Sequence, residues 1–237
     1  MREGNVWFRR LRDRGWIGGA SQSFQQEAWV RSLIKDVKNQ EQLSTPLQEL
    51  TFVVVDLETT GFRPHHGDEI IAIGAVKVEN GKVLPDSPFH TLVRPQGGIP
   101  DVVVRLTGIT EEDVQSAPSL AEALQSWLEF TGSSILVAYG AGLDSSFLKV
   151  GLKKTWGITL EHRFLDVWQF ARWFHSEFSD HSLERLLHHY KIPIRGRHTA
   201  DGDAWMTARL WEEMLQGFQR HQLQNLSQLY AALNQVR

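Results

Sequence analysis

An apolar run that ends in two acidic residues constrains the fold of this chain more than any other feature. Residues 52–55 are Phe-Val-Val-Val, and Asp56 and Glu58 follow at alternate positions. An unbroken apolar run rich in β-branched residues is typical of a strand that is buried on both faces. Because side chains alternate along a strand, Asp56 and Glu58 are expected to point the same way. The sequence therefore predicts a buried strand that ends in paired carboxylates.

The two carboxylates repel each other, and a hard divalent cation is the usual means by which a protein offsets such repulsion. The residues alone leave a second interpretation open, in which the strand end is solvated and both acids face water. Thr59, Thr60 and Gly61 follow the acids and predict the end of the strand, with glycine supplying the freedom that a turn needs.

The order of the remaining predicted elements indicates the fold class. A second strand is predicted at residues 69–78, and a third in two pieces at 82–84 and 89–93. Asn80-Gly81 between them is a strong hairpin signal. Short strands and helices then alternate: the predicted strands are 134–138 and 163–166, and the predicted helices are 118–130, 143–152, 167–174, 182–189, 201–215 and 223–233. We predict an α/β fold with a mixed sheet, in which three antiparallel strands precede the parallel ones and helices cover the sheet.

Composition excludes several kinds of protein. The 237 residues carry a net charge of −3, so there is no overall basic field to attract a polyanion. The chain has no cysteine, which excludes disulfides and thiolate zinc sites and suits a reducing compartment. No apolar run approaches the about 20 residues needed to span a bilayer, and the first residues lack the apolar core of a signal peptide. We therefore expect a cytoplasmic protein without a membrane partner.

Residues 1–48 precede the first strand and are predicted to form an N-terminal extension. Residues 1–20 are rich in arginine, which favours either a solvated arm or a basic arm that contacts phosphate or a partner protein. Residues 22–43 predict an amphipathic helix. We expect the main domain to cover residues 49–217, with a C-terminal helix over 218–237 packed on it.

Three further polar residues follow predicted turns. Asp144 begins a helix directly after a glycine-rich turn, where an acid most often caps or flanks the helix. Asp203 lies in the first turn of another helix, and His198 lies in the loop before it. A lone loop histidine is usually solvated, but the chain turns between His198 and Asp203, so they can converge on one point. A histidine beside bound metal ions is able to accept a proton from water.

The acids Asp56, Glu58, Asp144 and Asp203, with His198, resemble in order and spacing the DEDDh 3′→5′ exonucleases. This is the family of the proofreading subunit of bacterial replicative DNA polymerases. The resemblance covers roughly residues 50–217. It is carried by Asp-Leu-Glu-Thr-Thr-Gly at 56–61, the strand at 70–76, Thr-Gly-Ile-Thr at 107–110, and His-x-Ala-x-x-Asp-Ala at 198–204.

The resemblance implies a ribonuclease H-like α/β fold, with a mixed sheet of about five strands and helices on both faces, and a metal centre. The four acids would bind two Mg²⁺ or Mn²⁺ ions, and His198 would be the general base. The residues that would contact substrate are Leu57, Thr59, Thr60, Gly61, Phe62 and Phe147. For Phe62 the alternative is an apolar plug beneath its loop. Gly140 stands where the family often has an asparagine that supports substrate, which puts substrate preference in question.

The function that the resemblance implies is 3′→5′ hydrolysis of single-stranded or frayed DNA to nucleoside 5′-monophosphates. An RNA or oligoribonucleotide exonuclease of the same family is an alternative. A second alternative is a non-catalytic module that binds nucleic acid or a polymerase. The expected partners are 3′ ends of single-stranded DNA or RNA, with a DNA polymerase subunit as a further candidate.

Overall fold

A computed structural model describes residues 27–32, 37, 43–84 and 88–234. The arginine-rich arm lies outside the described residues, and so does most of the helix predicted at 22–43. Residues 27–32 are helical, and Val30 is fully buried against the domain core.

The sheet has the predicted mixed topology. Its strands are β1 (Phe52–Thr59), β2 (Ile70–Glu79), β3 (Lys82–Val83), β4 (Phe89–Leu92), β5 (Ile135–Ala138) and β6 (Phe164–Asp166). β1 pairs antiparallel with β2, and β2 pairs antiparallel with both β3 and β4. β5 lies parallel to β1, and β6 lies parallel to β5. The third predicted strand is confirmed as two pieces on one edge of β2, and β1 is central to the sheet.

Helices cover the sheet. They are α1 (Asp101–Thr107), α2 (Glu111–Gln115), α3 (Leu120–Thr131), α4 (Gly142–Trp156), α5 (Val167–Phe174), α6 (Leu183–His189), α7 (Ala200–Arg220) and α8 (Leu226–Asn234). Thr110 caps α2, because Thr110 and Asp113 form a reciprocal capping box. None of the described helices is long and apolar enough to cross a membrane.

α1 was not predicted. It contains three consecutive valines, which individually favour strands over helices. The helix buries Val103 in a small cluster with Ile71 and Ile99 and ends at Gly108, whose φ of 74° is left-handed. Packing against β2 therefore outweighs the local preference of the valines.

The alternation of side chains along β1 sends its residues into two separate cores. Phe52 and Val54 pack on one side, and the rings of Phe52 and Trp211 of α7 lie 5.5 Å apart. Val53 and Val55 pack on the other side with residues of α3 and α4. Positions 56 and 58 continue the first set, so their carboxylates face the side of the sheet that α7 covers.

A glycine in β2 brings the beginning of α7 against the sheet. Gly74 is the antiparallel partner of Asp56. A Cβ atom at position 74 would lie 2.1 Å from the carbonyl oxygen of Ala200, the first residue of α7. Only a glycine permits so close a backbone approach. The first turn of α7 therefore lies directly beside Asp56.

The segment before β1 is hydrogen-bonded to the segment that leads into α8. The amide of Leu47 donates to the carbonyl of Gln224 at 2.7 Å, and the amide of Ser227 donates to the carbonyl of Leu43 at 3.0 Å. Leu47 and Leu226 are both buried in the core on the α7 side of the sheet. The domain boundaries proposed at residues 48 and 217 stay predictions.

Candidate active site

Three carboxylates from two elements converge at the end of β1. Asp56 and Glu58 belong to β1, and Asp203 belongs to the first turn of α7. Each offers a carboxylate oxygen, and these oxygens all lie within 4.8 Å of one another. The alternation of β1 and the close approach at Gly74 together produce this convergence. The structure thus brings together three of the four acids that were expected to bind metal.

The fourth acid, Asp144, lies beside this group without joining it. It is buried in the first turn of α4, which follows β5, the parallel neighbour of β1. Burial raises the pKa of Asp144, and hydrogen bonds from its own amide and that of Leu57 oppose the rise. Asp144 is close enough to Asp56 for their repulsion to raise the pKa of Asp56. Asp144 is therefore a buried member of the acidic site and not a solvated helix cap.

The electrostatics of the site favour protonation in the absence of a cation. Burial is the main cause that raises the pKa of Asp56 well above its ordinary value, and repulsion from Asp144 and Asp203 adds to it. Burial, with repulsion from Asp203, raises the pKa of Glu58 to about 7. A cation among these oxygens would counteract both burial and repulsion, because it would replace the lost hydration and offset the like charges.

The two oxygens of Asp203 have different surroundings. Oδ2 accepts a hydrogen bond from Arg197 Nη1 at 2.5 Å and another from the amide of His198 at 3.1 Å. Oδ1 is buried and has no hydrogen-bond donor among the described residues. A buried acceptor without a donor is costly, and a metal ion would satisfy it. An all-oxygen donor set of this kind suits Mg²⁺ or Mn²⁺, so the residues present fit the metal that the sequence predicts.

His198 lies at the rim of this group with an unusual backbone. Its φ of 61° is in the left-handed region, which is uncommon for a residue other than glycine. The hydrogen bond from its amide to Asp203 holds the backbone there. The residue is partly buried, and its backbone amide lies 3.1 Å from Asp203 Oδ2. The structure thus places His198 beside the carboxylates.

The hydroxyl groups of the two threonines after Glu58 form hydrogen bonds with the backbone of the same loop. Thr59 Oγ1 donates to the carbonyl of Gly61 at 2.7 Å, and Thr60 Oγ1 accepts from the amide of Glu69 at 2.8 Å. Gly61 passes close to Asp68, whose Oδ2 would lie 2.4 Å from an added Cβ atom. The loop is therefore fixed at the edge of the site.

The three apolar residues expected to contact substrate differ in exposure. Phe62 is 78% exposed, so it is not an apolar plug beneath its loop. Phe147 is only 3% exposed and belongs to the core, and Leu57 is partly buried against that core. Contact of Leu57 and Phe147 with substrate stays a prediction.

Two polar residues near the site were given no role from the sequence. Asp166 ends β6 and accepts hydrogen bonds from the amides of Gly140 at 2.9 Å and Trp168 at 3.0 Å. It thereby fixes the turn that contains Gly140, whose φ of 71° is left-handed. Arg197 contacts Asp203, as described above. Its position directly before His198 was the available signal, but nothing local in the sequence shows that its side chain turns back toward the acids.

Comparison with known proteins identifies the family. An exonuclease family model, that of RNase T, matches residues 53–211. The chain belongs to this exonuclease family. Membership confirms the predicted class of enzyme, a nuclease, and implies the use of divalent metal ions.

Sequence relatives include two kinds of protein associated with DNA polymerase III. The chain is 37% identical over 182 residues to the PolC-type DNA polymerase III of Caldanaerobacter subterraneus, covering 77% of this chain and 13% of that protein. It is 36% identical over 195 residues to a DNA polymerase III subunit epsilon-like protein of Rhodobacter capsulatus, covering 81% of this chain and 27% of that protein. The chain thus spans only a small part of the length of these relatives.

Solved structures with the same fold include other exonucleases. The nuclease domain of 3′hExo, a DEDDh family member bound to rAMP, matches with a TM-score of 0.63 and 20% identity, covering 73% of this chain and 95% of that domain. Exonuclease X in complex with 5′ overhanging duplex DNA matches with a TM-score of 0.58 and 23% identity. The match covers 70% of this chain and 92% of Exonuclease X. These similarities confirm the ribonuclease H-like fold.

Proposed function

We propose that this chain is a metal-dependent 3′→5′ exonuclease that hydrolyses single-stranded or frayed DNA to nucleoside 5′-monophosphates. The observation that carries the proposal is the group of three buried or half-buried carboxylates at the end of the central strand, with one buried oxygen of Asp203 lacking a donor among the described side chains. This group lies within the segment that matches the exonuclease family.

The metal ions would be held by Asp56, Glu58 and Asp203, with Asp144 beside them. When bound, divalent ions offset the charge of the scissile phosphate and lower the pKa of a water molecule. The carboxylates supply the negative charge that binds such ions in a protein whose net charge is already −3. Local metal charge, in place of a general basic surface, would thus attract the phosphate.

His198 would act as the general base. Its backbone amide donates to Asp203 Oδ2, and the backbone at position 198 is left-handed. An imidazole at this position can accept the proton of the attacking water and pass it to solvent. The partial exposure of His198 provides the route to solvent.

Phe62 would hold the terminal nucleotide. Its ring is largely exposed and follows Glu58 by four positions, on a loop that the Thr59 and Thr60 hydroxyls fix. An exposed aromatic ring next to a phosphate site is suited to stacking on a base, and such stacking does not depend on base identity. The remaining apolar residues, Leu57 and Phe147, would support the pocket from the core side.

DNA is the proposed substrate because relatives that match most of this chain are named as a PolC-type DNA polymerase III and a DNA polymerase III subunit epsilon-like protein. The same similarity supports a polymerase subunit as a partner. The net charge of the chain does not distinguish DNA from RNA as the substrate, since both carry the same backbone charge.

The test is a degradation assay with the purified chain and a 5′-labelled single-stranded DNA oligomer, with Mn²⁺, Mg²⁺ or EDTA. We expect progressive shortening from the 3′ end, release of nucleoside 5′-monophosphate, and no product in EDTA. Asp203→Asn should abolish turnover because it removes a metal ligand. The matched control is Asp201→Asn, which changes an exposed acid in the same helical turn and should leave turnover intact.

Three results would change the proposal. Oligomer binding without mononucleotide release would indicate a non-catalytic module. Faster degradation of a matched RNA oligomer would replace DNA with RNA as the substrate. Equal loss of turnover in Asp201→Asn and Asp203→Asn would show that the metal ligands are misassigned.

A further inference from the structure

Arg197 connects two acidic side chains from different helices. Its Nε lies 2.6 Å from Glu184 Oε1 in α6, and its Nη1 lies 2.5 Å from Asp203 Oδ2 in α7. The side chain of Arg197 is 29% exposed, while that of Asp203 is 7% exposed. The guanidinium therefore reaches inward from the loop between α6 and α7 and bridges the two helices at the acidic site.

The bridge fixes the orientation of the Asp203 carboxylate. Oδ2 receives two donors, Arg197 Nη1 and the amide of His198, and Oδ1 receives none from the part of the chain that the structure describes. Rotation of the carboxylate would break both bonds at Oδ2. Because Asp203 belongs to the three-carboxylate group, its fixed orientation leaves Oδ1 as the oxygen available to a cation.

The planar guanidinium is suited to this task, and a lysine is not. Arginine presents several N–H donors in a rigid fork, so one side chain can hold Glu184 and Asp203 in a set relative position. A lysine at position 197 would keep the positive charge but would act as a single point on a flexible stem. Substitution of Arg197 by lysine therefore tests the role of the positive charge separately from the role of orientation.

Charge alone would have the opposite effect on metal binding. A cation near the acids competes with a metal ion for the same negative charge. Burial raises the pKa of both Asp56 and Glu58, and the charge of Arg197 only partly opposes that rise. If Arg197 acted only as a resident counter-ion, its removal would tighten metal binding. If it acts by orienting Asp203, its removal would weaken metal binding.

We propose that Arg197, anchored by Glu184, is a positioning residue that orients the Asp203 carboxylate so that Oδ1 faces the metal site. The inference rests on the metal site of the proposed function and adds to it a residue that does not itself bind metal. Partners that hydrogen-bond a metal ligand in this way typically contribute about 10–100-fold to metal affinity.

The test is calorimetric titration of the full chain with Mn²⁺, without substrate. Arg197→Gln and Arg197→Lys should both bind Mn²⁺ about 10–100-fold more weakly than wild type. The matched control is Arg209→Gln. Arg209 lies in α7, and its Nη1 lies 2.7 Å from the buried carboxylate of Glu212, which contacts Lys82 and not the site. The Arg209→Gln variant should have a lower thermal stability in EDTA and the same Mn²⁺ affinity as wild type.

Glu184→Ala provides a second variant in case Arg197→Gln does not fold. It removes the anchor and leaves the arginine and all four acids in place, so Mn²⁺ affinity should fall, by less than in Arg197→Gln. At saturating Mn²⁺ the variants should regain kcat, since the ligands themselves are intact.

Each opposite result overturns the proposal. Wild-type Mn²⁺ affinity in Arg197→Lys would show that charge is sufficient, and tighter binding in Arg197→Gln would show that arginine competes with metal. Unchanged affinity in Glu184→Ala would show that the bridge has no role. Wild type that binds no Mn²⁺ would overturn the proposed metal site as well, which distinguishes failure of the proposed function from failure of this inference.

Discussion

Gly74→Ala should separate the two elements that form the site. An added Cβ atom at position 74 would lie 2.1 Å from the Ala200 carbonyl oxygen and 2.5 Å from the Asp201 amide nitrogen. Both are backbone atoms, so no side-chain rotation can relieve the contact. The beginning of α7 would have to retreat by about 1.3 Å before 2.1 Å became an ordinary contact of 3.4 Å.

The expected magnitude follows from that displacement. Overpacking of a filled core destabilises a protein by about 1–3 kcal/mol. We expect a value at the upper end of this range, because the atoms that the added Cβ would meet are all backbone atoms. Asp203 is in the same rigid helical turn as Ala200, so it would move away from Asp56 with the helix. A misplacement of about 1 Å at a reacting site can lower the rate by about 10²-fold.

The assays are urea unfolding in EDTA and turnover of a single-stranded oligomer in Mn²⁺. The control is Gly142→Ala in the first turn of α4, where an added Cβ atom would have no neighbour within 4 Å among the described residues. It should be neutral or stabilise the protein by up to about 1 kcal/mol. Gly74→Ala with wild-type stability and turnover would refute the argument that this glycine positions Asp203.

Three further predictions concern the chemistry of the site. His198→Ala should lower kcat by about 10²–10⁴-fold with little change in oligomer affinity, as measured by turnover and by fluorescence anisotropy. Burial raises the pKa of Glu58 from about 4.5 to about 7. Between these two pH values, the metal-free folded protein therefore retains a proton that the unfolded chain has released. Stability in EDTA should therefore fall across this window as pH rises, and Glu58→Gln should be more stable than wild type by about 1–3 kcal/mol at pH 7.5 but not at pH 4.5, by urea unfolding. Phe62→Ala should raise KM for oligomers without lowering the melting temperature, because the ring is largely exposed.

Each of these predictions has a contrary outcome. A His198→Ala enzyme as fast as wild type would mean that another group takes the proton. If Glu58→Gln is no more stable than wild type at pH 7.5 in EDTA, burial and repulsion do not raise the pKa of Glu58 as described. A marked loss of stability in Phe62→Ala would show that the ring packs on the protein, which its exposure argues against.

Several parts of the fold could be predicted because their signals are local. The apolar run at 52–55 and the hairpin residues at 80–81 specify strands and their connection through neighbouring side chains alone. The same holds for helix α5, whose bounds Val167–Phe174 agree with the sequence prediction. Helix α1 could not be predicted, because its valines adopt a helix only when Val103 is buried against residues from β2 and the loop after β4.

The sequence by itself determined which side chains are available for the chemistry: a carboxylate pair on one face of a buried strand, two further acids at helix beginnings, and a histidine before one of them. The tertiary structure alone decided how these groups meet. It set the close approach of Ala200 to Gly74, left Asp144 beside the group of three, and turned Arg197 back onto Asp203. Alternation and capping depend on residues a few positions apart, whereas these contacts join elements distant in the chain, and their geometry follows from how the helices pack on the sheet.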